Sequence, residues 1–501
     1  MLVLFSAFLT ALAFPKIGVW PLAFVALIPL LWDIEHSAHL SWQARAKQYF
    51  KKGWVYGALF MGYFHLWILE LRAWVPWYWL VLLWAAYAAL LGVFYGGGLA
   101  LYGALRHRVG LLVGIPAVWV VLEWLKGCGP FGNPAGALGY SQTPNLLALQ
   151  VASLAGVYGI TLVCVLSNVL LYRLLMRFFK QWPQPKKPWG TTTIRFNATL
   201  LFGLWACVAL YGGYRLWSPV LKTDPIRVAV IQGNHPQSDK FDPLFWAQIR
   251  LDYLRLTEQV AINKPNWVFW PETITPSFNL EKPNFLRMLT TLCRDGNTKV
   301  VFGTPVRDNQ VFYNGVAVAG SRGVLPEVYR KNRLMPFGEY IPFRPLLPQW
   351  VQAQLPPQDF SPATTLACLP LDDYRLGVGV CLESIYPDFY RTLAKDHADV
   401  LAVLVNNAWF FESSAAYEHK QLSVVRAVET NRYLIQAANT GISVVVHPRG
   451  RILREAQLDT RAILFATVYA AQPTTPYVLL GDWIVWLCMA ALVLFQKRRF
   501  Y

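Results

Sequence analysis

The chain runs to 501 residues, 55% hydrophobic and only 15% charged, against roughly a quarter charged in ordinary soluble domains. With 22 tryptophans and a mean hydropathy of +0.33, that balance excludes a single water-soluble globule and points to a membrane protein with a soluble part. The net charge of +17 invites a nucleic-acid reading, but no basic stripe with interleaved aromatics runs through the polar region, so no nucleic-acid partner is expected.

Apolar runs bounded by charges or turns fall near 1–14, 18–33, 53–71, 76–105, 110–126, 150–175, 196–217 and 477–496. Read as spans, they predict a bundle of eight membrane helices, the first two short. The opening MLVLFSAFLTALAFP lacks the basic start of a secretory leader and is expected to stay as a helix. Cations gather in alternate loops: Arg45, Lys47, Lys51 and Lys52; then Arg106 and Arg108; then Arg173, Arg177, Lys180, Lys186, Lys187 and Arg195; and finally Lys497, Arg498 and Arg499. The other loops hold only Lys16, Arg72 and Lys126. The positive-inside rule then puts both ends in the cytoplasm and the large segment before the last span on the opposite side. The expected division is 1–217 for seven spans, 218–475 for the soluble domain, and 476–501 for the last span and a basic tail. Glu70, Arg72, Glu123 and Lys126 fall near outer span ends, where charge marks a functional residue or one snorkelling to the interface.

The segment 218–475 changes character. Short β-branched runs recur at 226–234, 266–273, 299–306, 311–320, 375–381, 400–407, 442–450 and 462–469. Helical periodicity fills DPLFWAQIRLDYLRLTEQVA and YEHKQLSVVRAVETNRYLIQAA between them. Strands alternating with amphipathic helices predict a layered α/β domain. A proline-rich excursion at 342–362 carries Phe343 and Trp350, costly to leave in water, and reads as an interfacial arm or lid.

Seven cysteines show no CxxC or CxxH spacing, so no structural zinc is expected. Cys128, Cys164, Cys207 and Cys488 lie in or beside apolar runs as small buried hydrophobes. Cys293, Cys368 and Cys381 fall in the soluble segment. Three cannot all pair among themselves, and a Cys293–Cys368 disulfide stays open. His235 and His419 lack ligand spacing and read as structural.

Three chemically different groups each follow an apolar strand. FWPET puts Glu272 after one, VYRKNRLMPFGEY puts Lys331 after another, and GVGVCLES puts Cys381 after a third. Strand ends of an α/β sheet are where ligands bind. A thiol needs a base to take its proton, which Glu272 supplies. A cation is needed to steady the developing oxyanion, which Lys331 supplies, with the Leu382 N–H as second donor. Singly, each has a bland reading as a buried thiol, a turn residue or a solvated lysine; their joint placement carries the assignment.

Glu in WPE, Lys in YRK followed by PFGE, and Cys in a glycine-spaced strand resemble the nitrilase superfamily. With the membrane frame and GYSQ, GVYGIT, QGNHPQ, NNAWF, RAVETNR and AANTGIS, the chain is similar throughout to the apolipoprotein N-acyltransferase family. That resemblance implies an α-β-β-α sandwich beyond the bacterial inner membrane, in the periplasm, and no cofactor or metal. It implies a ping-pong transfer: Cys381 takes an acyl chain from a phospholipid, typically phosphatidylethanolamine, and passes it to the N-terminal amine of a diacylglyceryl apolipoprotein. By the same resemblance Glu339 orients the triad, Glu383 supports the loop after the nucleophile, and Phe241 and Trp350 are candidate substrate contacts. The sequence departs from the family at Phe241, where a tryptophan is common, and at GNPAGALGYSQ, where many members read GFPW. Rival readings are a membrane-tethered amidase with water as acceptor, and a transporter or receptor with an outer binding domain. The latter calls for charges at the span midplane, whereas those present cluster at span ends.

Overall fold

The computed structural model describes residues 1–176, 191–352, 355, 358–470 and 472–494. Arg177, Lys180, Lys186, Lys187, Lys497, Arg498 and Arg499 lie outside the described residues, as does the side chain of Trp350. The chain divides into two compact units, Met1–Pro219 with Thr475–Tyr501, and Val220–Thr474.

The first unit is helical, but its helices are not eight uniform spans. Among the described residues three are long and apolar enough to cross a membrane: Trp77–Leu105, Ala152–Leu175 and Ile194–Trp217. The expected run 18–33 breaks into a 3-10 turn, Trp20–Phe24, and a short helix, Ile28–Glu35; Pro21 and Pro29 each sit where a helix starts rather than continues. The run 53–71 becomes Trp42–Phe64, whose first half carries Arg45, Lys47, Lys51 and Lys52, followed by the 3-10 stretch Leu66–Ala73. The last run splits into Pro476–Leu480 and Trp483–Leu494 at Gly481. Glycines let helices Trp42–Phe64 and Trp77–Leu105 approach closely: a Cβ on Gly53 would meet the Tyr95 carbonyl oxygen at 2.5 Å. The four charged residues Glu70, Arg72, Glu123 and Lys126 divide in two. Glu70 and Arg72 pair at 3.5 Å near the surface, whereas Glu123 and Lys126 are buried. Glu123 accepts from Trp119, Leu138 N–H and Thr161, and Lys126 donates to the Ala135 carbonyl.

The second unit is a two-sheet sandwich. In chain order its strands are β1 (Ile226–Gln232), β2 (Trp267–Phe269), β3 (Lys299–Asp308), β4 (Val311–Gly320), β5 (Gly323–Val324), β6 (Tyr329–Arg330) and β7 (Leu369–Leu371). They continue as β8 (Tyr374–Val380), β9 (Val400–Val405), β10 (Leu434–Ala438), β11 (Val444–Val446), β12 (Ile452–Glu455) and β13 (Ala462–Val468). One sheet is ordered β13-β1-β2-β3-β4-β5 with β6 on β4, the other β12-β11-β10-β9-β8-β7. A parallel trio centres each sheet, β1-β2-β3 and β8-β9-β10. Helices Trp246–Ala261 and Pro283–Asp295 pack on the first sheet, and Pro387–Lys395 and Ala415–Thr430 on the second. Central strands such as β9 (VLAVLV) are therefore buried on both faces and read as continuous apolar runs.

The glycine spacing before Cys381 has a packing cause. A Cβ on Gly379 would meet the Tyr390 hydroxyl at 2.3 Å, and one on Gly377 the Leu401 side chain at 2.7 Å. Helix Pro387–Lys395, which carries Tyr390, can lie flat on β8 only over glycines. One expected element is corrected. The periodicity through YLIQAA predicts a continuing helix, but Asn431, at φ 57°, closes it in the left-handed conformation and LIQAA becomes β10. A short fully buried apolar run fits either period. Cys293 and Cys368 are both free thiols: Cys293 lies against the Ala319 carbonyl and Cys368 against those of Leu393 and Asp396.

Candidate active site

Glu272, Lys331 and Cys381 follow β2, β6 and β8, and the fold brings their loops to one place. Glu272 is nearly buried, and both its oxygens are held. Oε1 accepts from the Asn314 amide at 2.8 Å, and Oε2 from the Asn406 N–H at 2.9 Å. The Lys331 Nζ lies 3.6 Å from Glu272 Oε1 and 2.9 Å from Glu339 Oε2. The Asn314 amide also donates to Glu339 Oε1 at 2.7 Å, and the Met335 N–H to Oε2 at 2.8 Å. One ammonium and one amide thus lock two carboxylates at fixed spacing. Burial opposes the Lys331 charge, but Glu339 and then Glu272 outweigh it, holding the ammonium charged above the usual lysine range.

Cys381 begins a 3-10 turn with φ at 50°, a left-handed conformation that non-glycine residues hold only under constraint. It lifts the side chain off the end of β8. Burial pushes the thiol well above its ordinary range, the negative charge of Glu272 adds to that, and Lys331 opposes it. The Leu382 N–H, pointing at the sulfur, favours the thiolate too. The resting group is therefore a neutral thiol, which becomes a thiolate only where a base takes its proton.

Glu383 plays a larger part than support of its own turn. Its Oε2 accepts from the Tyr329 hydroxyl at 2.6 Å and the Val380 N–H at 2.8 Å. Its Oε1 accepts from the Asn332 and Arg333 N–H groups at 2.7 and 3.0 Å. One buried carboxylate thus ties the loop bearing Lys331 to the elbow bearing Cys381.

Asn314, Asn406 and Tyr329 escape the sequence reading. Asn314 leaves a trace, a polar residue inside the apolar strand VFYNGVAVAG, where a buried amide demands partners. Phe241 is half-exposed with its ring 5.2 Å from that of Trp409, edge to face. It therefore belongs to an aromatic pair rather than standing alone. The excursion 342–362 is anchored where it returns: Phe360 and Ala363 N–H groups donate to the Glu339 and Lys331 carbonyls at 2.8 and 2.9 Å. Its Phe343 and Leu346 are 65% and 80% exposed, an apolar tip set on a pinned base. His419 is neutral, pushed down to about 4 by burial and then by the Lys331 charge, and bonds Asn407 at 2.9 Å.

Residues 227–473 match the carbon-nitrogen hydrolase family, and residues 6–170 the apolipoprotein N-acyltransferase N-terminal domain. The apolipoprotein N-acyltransferase of Geobacter metallireducens is 31% identical over 98% of this chain and 93% of its own length. The chain belongs to the apolipoprotein N-acyltransferase family. The enzyme of that name from Methylococcus capsulatus is 33% identical over 83% of this chain and 79% of its own. A nitrilase-superfamily protein of Saccharomyces cerevisiae superposes on 56% of this chain at a TM-score of 0.39 and 19% identity.

Gly303, on β3, is the floor on which the family's WPE turn rests here. A Cβ there would meet Thr273 N at 2.5 Å and Glu272 Cα at 2.6 Å. Both neighbours are backbone, and Thr273 already sits at φ 42°, so neither yields without moving the carboxylate. Gly303→Ala is expected to cut acyl transfer about a hundredfold, the usual result of displacing a reacting group by about 1 Å. An activity assay beside a thermal melt checks this; full activity would show that the turn adapts.

Proposed function

We propose that this protein transfers an acyl chain from a membrane phospholipid to the N-terminal amine of a diacylglyceryl apolipoprotein, by way of a thioester on Cys381. The observation that carries this reading is the cluster itself. A buried neutral thiol on a strained elbow lies within the electrostatic reach of a doubly anchored carboxylate and an ammonium held charged.

In this reading Glu272 takes the thiol proton as sulfur attacks the ester carbonyl. The Lys331 ammonium and the Leu382 N–H receive the negative charge that develops on oxygen. The lysophospholipid leaves with the proton from Glu272, and the thioester remains. In the second half Glu272 takes a proton from the acceptor amine as its nitrogen attacks, and the thiol is regenerated. Thioesters are more reactive toward amines than oxygen esters are, so the second half draws the first forward, and the net exchange of an ester for an amide runs downhill. Glu339 keeps Lys331 in place through both halves.

Both substrates are lipid-anchored, and drawing a chain fully into water costs about 0.8 kcal/mol per CH₂. Attaching the catalytic unit to apolar helices removes that cost. The eight-span arrangement, cytoplasmic termini, a periplasmic catalytic unit and phosphatidylethanolamine as donor belong to the same proposal. So does an interfacial place for the tip of 342–362.

The test is mass spectrometry of the Cys381 peptide after incubation with phosphatidylethanolamine labelled in its sn-1 chain. An acyl adduct is expected that survives in buffer and disappears, with matching product, on adding a diacylglyceryl peptide. An adduct discharged equally fast by water would favour the amidase reading. No adduct at all would end the proposal.

A further inference from the structure

Lys240 lies on the short helix Gln237–Phe241, and the mechanism above leaves it unused. Its side chain is 2% exposed. Its Nζ approaches the Glu272 main-chain carbonyl at 3.5 Å, a long contact. Among the described residues no carboxylate comes within ion-pairing distance of it. An ammonium carries three N–H donors and is seldom buried without a partner, so its charge must be held by the wider field of the site.

That field is short of positive charge. Three carboxylates, Glu339, Glu272 and Glu383, surround the single Lys331 ammonium, so acidic groups outnumber cations there. Forming an oxyanion would add further negative charge. From this we infer that Lys240 is an electrostatic positioning residue, the second cation that offsets the acidic cluster and so lets Cys381 attack. It acts through the field at the sulfur and touches no reacting atom. The inference rests on Cys381 being the nucleophile.

The charged groups that bear on the Cys381 thiol are Glu272 after β2 and Lys331 and Glu339 after β6; Glu383 lies in the same turn as Cys381, where it accepts from the Val380 N–H. His419, on helix Ala415–Thr430, is neutral. Lys240 itself faces Glu272 on one side. On the other lies His235, held neutral by burial, with Asp239, Asp252 and Arg461 beyond it. Burial pushes the Lys240 ammonium down to about 8 while Glu272 pulls it back up. Below pH 8 Lys240 is charged and favours the thiolate, and above it that help fades.

The experiment uses the full chain in detergent, alkylated by iodoacetamide from pH 6 to 10, with the Cys381 peptide followed by mass spectrometry so that other thiols do not count. Wild type is expected to react faster as pH rises, but less steeply above pH 8. Lys240→Arg, charged throughout, should keep the steep slope. Lys240→Met should react about tenfold more slowly at pH 7, as one unit in the thiol's pKa requires, and converge on wild type at the alkaline end. Its acyl transfer should fall in parallel, in kcat rather than KM. A Lys240→Met protein that loses acyl transfer yet alkylates like wild type would reduce Lys240 to a structural role and overturn the inference. Should that variant not fold, identical slopes for wild type and Lys240→Arg above pH 8 overturn it instead. Failure of the nucleophile reading looks different: Cys381→Ala would keep its acyl transfer.

Discussion

Cys381→Ser and Cys381→Ala are both expected to lose acyl transfer by about a thousandfold or more, the scale on which loss of a covalent nucleophile is felt. The assay is passage of a labelled chain from phospholipid to a diacylglyceryl peptide. The serine variant is the informative one, because it keeps the shape of the elbow and removes only the sulfur. Burial already pushes the thiol well above its ordinary range. A hydroxyl in the same place starts several units higher, and Glu272 cannot draw its proton away at a useful rate. The resulting ester would also be a poorer donor to an amine than a thioester is, so both halves slow. Replacing Cys293 or Cys368 by serine should leave the rate near wild type, since neither touches the cluster. A Cys381→Ser protein retaining a tenth of the activity would mean that sulfur does not carry the chain.

Much of this site is legible in the sequence because each principal group follows a strand that is itself easy to read. VFYNGVAVAG becomes β4 from its first residue to its last, and RLGVGVC ends in the elbow as its glycine spacing suggests. The chemistry of thiol, carboxylate and ammonium is a property of residue type, and needs only proximity. What stays hidden depends on geometry across the sandwich. Asn314 bridges Glu272 and Glu339 from β4, and no local pattern couples it to either. β6 is only two residues long, too short to show a period, yet it sets the position of Lys331. The end of helix Ala415–Thr430 escapes for another reason: Asn431 turns left-handed in a stretch whose apolar spacing suits helix and strand equally. In the membrane unit hydropathy finds the apolar runs but, measuring composition alone, does not see where prolines and glycines divide them into shorter helices.

Glu383→Gln is expected to be nearly as damaging as loss of a principal catalytic group, with acyl transfer down about a hundredfold, the penalty for displacing a reacting group by about 1 Å. The amide has the size of the carboxylate but half its accepting capacity. Glu383 receives four donors, two on each oxygen: Tyr329 O–H and Val380 N–H on one, Asn332 and Arg333 N–H on the other. Whichever way the glutamine turns, its NH₂ faces two donors that it cannot accept. Each buried donor left unpaired costs about 1–3 kcal/mol, and the cheapest relief is for the Tyr329–Arg333 loop to part from the elbow. Lys331 sits inside that loop and moves with it. Two signatures separate this from general unfolding. Acylation of Cys381 should slow in kcat with little change in KM, since no substrate contact is removed. Tyr329→Phe, which deletes one donor and leaves the carboxylate satisfied by three others, should be far milder than Glu383→Gln. If the two variants proved equally active, the tie between loop and elbow would not be what holds the ammonium over the sulfur, and the anchoring would fall to Glu339 and Asn314 alone.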